Sequence, residues 1–136
     1  MFGLDISHHD KKLDYKDICK RFDFVLIRAT HGVEKDTLFM THYNQTLSLK
    51  QGLWAYTYAS KLTTAKNEAR AFCEAVKPCK AELGYWLDVE DDRQKKLKDK
   101  EAITAIVNAW IEEAGKHGIK MGLYTNRKWL KKYLIP

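Results

Sequence analysis

Two carboxylates, Asp88 and Glu90, stand two residues apart at the end of an apolar run over residues 83–87. The run is typical of a buried strand, in which side chains at i and i+2 project to the same face with α-carbons about 6.5–7 Å apart. Burying two like charges this close raises the pKa of at least one of them, as general acid catalysis requires. The pattern also fits a strand-end Asp that caps a turn beside a solvated Glu, so the pair alone leaves both interpretations open.

Strand and helix patterns alternate along the chain and must position these acids. Five β-branched, aromatic or otherwise apolar runs are predicted as strands, and a helical pattern follows each of them. The predicted strands are residues 2–7, 24–30, 53–59, 83–90 and 120–126, and the predicted helices are residues 14–21, 36–50, 63–77, 99–117 and a basic helix from Arg127. Five βα units in series favour parallel strands with right-handed crossovers, in an open α/β sheet or in part of a barrel.

The two faces of each strand favour the barrel. One face is apolar, as with Phe2, Leu4 and Ile6 of the first strand, and suits a layer of helices. The other face becomes polar toward the carboxyl ends and carries Asp5, Ser7, Arg28, Thr30, Trp54, Tyr56, Tyr58, Trp86, Asp88, Glu90, Tyr124 and Asn126. A sheet covered by helices on both sides would need apolar residues there, whereas a barrel turns this face inward. We therefore predict an α/β fold with a (β/α) barrel, whose polar strand ends form an active-site rim.

Five segments resemble, in order, the strand motifs of glycoside hydrolase family 25, the lysozyme-type N-acetylmuramidases of bacteria, fungi and phages. They are Leu4-Asp5-Ile6-Ser7-His8, residues 25–32, Ala55-Tyr56, residues 86–90 and residues 122–125. The combination of an early D-x-S with a later D-x-E is the specific part. The resemblance implies a barrel of the modified TIM type, here with five βα units and the closing strands missing. Residues 1–136 would then be a single, partial catalytic domain.

The resemblance also implies an activity, hydrolysis of the β-1,4 bond between N-acetylmuramic acid and N-acetylglucosamine in peptidoglycan. Glu90 matches the family's proton donor, Asp88 the carboxylate that assists it, and Asp5 an acid on the cleft floor. The chemistry needs a protonated acid at the leaving oxygen and a negative charge facing an oxocarbenium-like centre. We expect the neighbouring carboxylates to keep Glu90 protonated, because like charges in one site raise a pKa.

Substrate binding is expected from aromatic and basic side chains on the same faces. Two of them, Tyr56 and Tyr124, match tyrosines of the family's cleft and rim. The predicted substrate-binding residues are Tyr56, Tyr124, Arg28, Tyr58 and Trp86. The chain departs from the family at two positions, where a tryptophan is replaced by His9 and an acid by His31.

Two other functions fit parts of the sequence. A catalytically impaired peptidoglycan-binding or structural module would keep the cleft without turnover, although intact Asp5, Asp88 and Glu90 argue against it. A metal site formed by His8, His9, Asp10 and His31 is disfavoured, because adjacent histidines on a strand point to opposite faces. We expect no metal and no cofactor.

The net charge of +6 is concentrated in residues 93–98 and 127–132, which are either solvated faces or a surface for polyanions. No nucleic-acid motif, membrane-length apolar stretch or secretory leader is apparent. The spacing of the three cysteines fits no metal site, and their odd number argues against a disulfide framework. We expect peptidoglycan glycan strands as the partner, with no nucleic acid and no membrane insertion. A cytoplasmic protein without a signal peptide would then be released to act on the bacterial cell wall. Open sheet edges would favour self-association.

Overall fold

Strands and helices alternate along the chain as predicted. The computed structural model describes residues 1–135. Its elements are β1 (Gly3–Ile6), α1 (Tyr15–Arg21), β2 (Phe24–His31), β3 (Glu34–Lys35), α2 (Phe39–Gln45), β4 (Lys50–Tyr56), α3 (Leu62–Val76), β5 (Tyr85–Asp88), α4 (Asp92–Lys95), α5 (Lys100–Lys116), β6 (Met121–Tyr124) and α6 (Arg127–Lys132). Every predicted strand and helix has a counterpart, and the short elements β3 and α4 are additional.

The sheet has the strand order β1-β2-β4-β5-β6, with every neighbouring pair parallel. The strand β3 pairs antiparallel with the end of β2 and forms a small hairpin. The predicted series of parallel βα units is confirmed. Among residues 1–135, β1 and β6 are the two edges of the sheet, so the curved sheet is open along one side.

A layer of helices covers one face of the sheet. Ile27, Leu53 and Leu87 are fully buried on the sheet side. On the helix side, Phe72 of α3 and Trp110 of α5 are buried with ring centroids 5.7 Å apart. Burying each such side chain contributes about 1.5–3 kcal/mol, which fixes the faces of the strands. The opposite face is therefore free to carry polar groups.

Helix α2 is shorter than the predicted helix, and β4 begins earlier. The helix ends at Gln45, because the side-chain amide of Gln51 donates to the carbonyl oxygen of Tyr43 and to Oγ1 of Thr46. Strand β4 starts at Lys50, which pairs with the first residue of β2. The predicted bounds, 36–50 for the helix and 53–59 for the strand, are therefore wrong.

A β-bulge in β2 corrects the predicted face of one residue. Arg28 pairs with Trp54, but Thr30 pairs with Ala55 and His31 with Tyr56. The extra residue reverses the alternation of side chains. Thr30 therefore shares the helix-covered face, and the inner face at this level receives His31 instead.

Candidate functional site

Three residues stand side by side at the carboxyl ends of the central strands. Asp88 of β5 pairs with Tyr56 of β4 on one side and with Tyr124 of β6 on the other. Strand β5 ends at Asp88, because Asp91 caps the short helix α4 and turns the chain away from the sheet. Glu90 therefore lies just beyond the strand, and its side chain is exposed. The predicted strand end at residue 90 is therefore wrong. Asp88 is buried and Glu90 is nearer to solvent, an arrangement that suits a cleft.

Asp88 is the buried member of the acidic pair. The residue is 4% exposed, and its Oδ1 atom has no hydrogen-bond partner among residues 1–135. Burial, followed by the charges of Glu90 and Asp5, raises the pKa of Asp88 to about 7, while the charge of Arg28 acts in the opposite direction. The prediction that at least one pKa of the pair is raised is thus met at Asp88, the buried member, and the expectation that the neighbouring acids keep Glu90 protonated stays a prediction. An unpaired buried oxygen is also a ready partner for a ligand.

Asp5 approaches the site from the first strand. The indole Nε1 of Trp54 donates a hydrogen bond to Oδ1 of Asp5 at 2.9 Å. Partial burial of the carboxyl group raises the pKa of Asp5; the bond from Trp54 lowers it, and the charge of Glu90 adds to the rise. The charge of Glu90 acts on both Asp5 and Asp88, and that of Asp5 acts on Asp88, so the three predicted catalytic acids are electrostatically coupled.

Tyr56 is held by a residue that the sequence analysis did not single out. Its hydroxyl donates to Oδ2 of Asp91 at 3.1 Å. Burial, and then the charge of Asp91, raises the pKa of Tyr56, so the phenol stays neutral and can donate. The centroids of the Tyr58 and Tyr56 rings lie 5.1 Å apart. The Arg93 guanidinium lies over the Tyr58 ring, 4.5 Å from its centroid.

Arg28 is a fixed positive charge beneath the site. Its Nε donates to Oδ2 of Asp36 at 3.0 Å, and its guanidinium contacts Nδ1 of His8. Burial alone would raise the pKa of Asp36, but hydrogen bonds from Leu38, His8 and Arg28 lower it below its ordinary value. The predicted Arg28 is thus largely engaged by the protein, and its charge reaches the catalytic acids through space.

Asp36, the first residue of the predicted helix 36–50, anchors this buried ion pair, and its Oδ1 also accepts the backbone N–H of Leu38, the N-cap of α2, at 2.9 Å. Helix α2 has Leu38 at its N-cap without a side-chain bond, while the Asp36 backbone N–H donates to the carbonyl oxygen of Ala29. The β2–β3 hairpin, which turns through Gly32 at φ 59°, returns Asp36 to Arg28. The glycine after strand β2 could have predicted that the chain turns back here. The spacing of the residues could not predict that Asp36 pairs with Arg28.

Three histidines gather at the ends of β1 and β2. The His8 ring lies 3.9 Å from His9 and 5.7 Å from His31, centroid to centroid. Within residues 1–135, no group of three or more His, Cys, Asp or Glu side chains is arranged to hold a metal ion. His31 also lies edge-on to Tyr58 at 6.2 Å, and burial lowers its pKa. The lowered pKa favours the neutral form of His31 at this wall of the site.

A cavity of about 340 Å³ continues from the acids along the inner face of the sheet. Four predicted site residues line it: Asp5, Trp54, Trp86 and Tyr124. The remaining lining is apolar and consists of Met1, Phe24, Leu26 and Leu83. The indole Nε1 of Trp86 donates to the Leu83 carbonyl oxygen at 2.8 Å, which holds its ring across the cavity. The other predicted substrate-binding residues, Arg28, Tyr56 and Tyr58, do not line this space.

Comparison with known families gives one match, which covers almost the whole chain. The sequence model of the glycosyl hydrolases family 25 matches residues 4–135. A comparison with curated proteins found none that matches.

Several solved structures share this fold. The modular autolysin LytC from Streptococcus pneumoniae superposes with a TM-score of 0.85 at 23% identity, over 96% of this chain and 33% of that one. A family 25 glycosyl hydrolase from Bacillus anthracis gives 0.79 at 24% identity, over 96% and 63%. The catalytic domain of the endolysin ply40, from a bacteriophage of Listeria monocytogenes, gives 0.81 at 24% identity, over 96% and 66%. The present chain thus spans between one third and two thirds of these proteins, and the likeness establishes a common barrel-type fold.

Proposed function

Because the chain belongs to the glycosyl hydrolases family 25, we propose that it is a peptidoglycan muramidase. The bond cleaved is the β-1,4 bond between N-acetylmuramic acid and N-acetylglucosamine, and residues 1–136 form a single, partial catalytic domain. The observation that carries the proposal is the pairing of a buried Asp88, whose pKa is raised to about 7, with an exposed Glu90. Among the similar structures, LytC has been solved in complex with a synthetic peptidoglycan ligand.

Glu90 is the general acid in this proposal. The productive state has a proton on Glu90 and the negative charge on Asp88. Glu90 then protonates the leaving glycosidic oxygen from the open end of the site. Its exposure leaves room for a polymer to pass across the carboxyl ends of the strands.

Asp88 stabilises the positive charge that develops on the sugar. A desolvated carboxylate is unfavourable in the resting site, and a nearby cation relieves that cost. In this proposal the Oδ1 atom of Asp88, which has no hydrogen-bond partner among residues 1–135, bonds the 2-acetamido group, which can serve as the internal nucleophile. Asp5, held by Trp54, adds a second negative charge below the reacting ring.

The aromatic residues supply the sugar-binding surface. Trp86 is 37% exposed and Tyr124 is 45% exposed, and both line the cavity beside Asp5. Flat apolar rings match the apolar faces of pyranose rings and bury area without excluding the polar rim. Tyr56, kept neutral, donates within the rim and holds the α4 turn in place through Asp91.

A second candidate, a binding or structural module without turnover, is favoured by the open side of the sheet. The cavity on the inner face is lined by apolar residues, and β1 and β6 are both unpaired edges among residues 1–135. Such edges recruit further strands, so self-association of the chain forms part of this candidate. Wall binding without lysis is its signature.

The test is lysis of bacterial cell walls followed by turbidity and by release of reducing sugar. Glu90→Gln keeps the shape of the side chain and removes the proton, so we expect at least a hundredfold loss of rate. The matched control is Glu112→Gln, an exposed acid on α5 away from the site, which should leave the rate unchanged. Lysis that persists in Glu90→Gln would overturn the assignment of the proton donor. Sedimentation of the parent chain with walls that it does not lyse would support the binding module.

The proposed place of action is the bacterial cell wall, with peptidoglycan glycan strands as the partner and no requirement for nucleic acid, membrane insertion, metal or cofactor. Across residues 1–135, none of the helices combines the length and the apolar character needed to cross a membrane.

A further inference from the structure

A second cavity of about 340 Å³ lies between α4, the start of α5 and the end of α6. Four lysine side chains line it: Lys95, Lys98, Lys100 and Lys132. Tyr133 and the single acid Asp99 complete the polar lining. No residue of the catalytic site belongs to this cavity, so its charge serves a separate purpose.

The positive charge of this lysine cavity is poorly balanced by the protein. Asp99 is occupied as the N-cap of α5, since its Oδ1 accepts the backbone N–H groups of Glu101 and Ala102. Lys95 has one ion-pair partner, Asp92, whose side chain is 84% exposed, so the pair is screened by water. Four ammonium groups around one space repel each other, and an anion bound there would relieve that repulsion.

Contacts within the protein hold three of these four lysines in place. The Lys95 ammonium lies 5.9 Å from the ring centroids of both Trp129 and Tyr133, and that of Lys132 lies 5.4 Å from Tyr133. The Lys100 ammonium donates to the carbonyl oxygen of Lys131 at 2.8 Å. Cation–π contacts and hydrogen bonds of this kind reduce the side-chain entropy that a ligand would otherwise have to remove on binding.

The lysine cavity and the acidic site both lie near the carboxyl ends of the strands. Helix α4 begins four residues after Asp88, and α6 begins three residues after Tyr124. Both helices therefore leave from the carboxyl ends of β5 and β6, the edge at which the acids meet. A polymer bound at the lysines would lie beside a glycan strand bound at the acids.

We infer that the lysine cavity binds the phosphate groups of a polyol-phosphate polymer of the cell wall. The choice of a cell-wall polymer rests on the proposed function, because that function places the chain at the wall. The prediction that phosphate binds rests on the four lysines alone. Ammonium groups bind phosphate as point charges without a fixed fork geometry, which suits a flexible phosphodiester chain. Nucleic acid fits less well, because Trp129 is 2% exposed and Tyr133 is half-buried, and base stacking requires an open ring.

The experiment measures binding of a synthetic, fluorescently labelled poly(glycerol phosphate) to the full chain, by anisotropy at two salt concentrations. The test variant is Lys98→Gln/Lys132→Gln. The control, Lys12→Gln/Lys16→Gln, removes the same charge from α1 and its approach, and Lys12 matches Lys98 in its positive φ (58° and 53°). We expect the test variant to bind about tenfold more weakly and with a smaller salt dependence, and the control to change by less than about twofold.

Equal losses in both variants would show that only net charge matters and would overturn the site. Tighter binding of a single-stranded DNA with the same number of phosphates, or of vesicles rich in anionic lipid, would overturn the choice of polymer. Lysis of cell walls by the parent chain is measured on the same sample. Failure of lysis in the parent therefore tests the muramidase proposal, and failure of polymer binding tests this one.

Discussion

Replacing Asp88 by asparagine should make the free energy of unfolding less dependent on pH. Asp88 is 4% exposed, and burial with the neighbouring acids raises its pKa from 3.8 to about 7. Between these values the native state keeps a proton that the unfolded chain has released. The stabilisation is complete below pH 3.8 and is lost as the pH rises through 7. At about 1.4 kcal/mol per pH unit, the parent chain loses about 4 kcal/mol from this group by pH 8.

The assay is urea denaturation followed by tryptophan fluorescence at pH 5 and pH 8. The titration of this one group places about 2.5 kcal/mol of the loss between those two pH values. Asp88→Asn has no proton to lose, so its stability relative to the parent should increase by that amount from pH 5 to pH 8. All other groups cancel in this double difference. Glu112→Gln, the exposed control on α5, should show no such increase.

Two outcomes would refute the reasoning. A double difference below about 0.5 kcal/mol would mean that Asp88 is not held with a raised pKa. A difference of opposite sign would mean that the carboxylate is stabilised by the fold. If the proposal for the site is correct, Asp88→Asn is more stable than the parent at pH 8 and yet lyses walls far more slowly.

The rate of wall hydrolysis, kcat/KM, should rise as the pH is raised from 5 toward 7, because Asp88, whose pKa is about 7, must be ionised to stabilise the positive charge that develops on the sugar. Equal rates at pH 5 and pH 7 would contradict that role. Gly122→Ala should destabilise the chain by about 1–3 kcal/mol in urea, since its Cβ would lie 2.5 Å from the ring of Trp86. Gly115→Ala on α5 is the control, because nothing lies within 4 Å of its Cβ, and it should be neutral or stabilising. Equal effects of the two alanines would show that the Trp86 ring is free to move.

The strands and their faces could be predicted from the sequence because period-two alternation reflects burial directly. Leu4 and Ile6, or Leu53 and Ala55, alternate with the polar residues that the structure places on the inner face. The buried face of α5 was predictable because its apolar residues recur at steps of three and four, and Ile103, Ile106 and Trp110 are buried. In a strand or helix that is buried on one side, the positions of the apolar residues in the sequence show which face is buried.

The errors arose where side chains far apart in sequence compete with local patterns. The side-chain amide of Gln94 donates to the carbonyl oxygens of Thr57 and Ala59, so β4 ends at Tyr56 and the chain leaves the sheet. The bulge in β2 likewise depends on how Trp54 and Ala55 pair with it. Such partners are set by the tertiary fold, and no spacing within the strand itself encodes them.

The distribution of charge within the molecule separates the two proposed binding sites. The chain has a net charge of +6, yet its acidic site contains three carboxylates and one arginine whose charge is largely balanced by Asp36. Negative charge is therefore in excess where a cationic transition state would form, although the protein as a whole is basic. The compensating lysines lie on α4, on α6, at the start of α5 and between α4 and α5, where they attract anions without neutralising the acids. A substrate that carries both neutral sugars and phosphates would satisfy both regions at once, whereas an uncharged glycan would satisfy only the first.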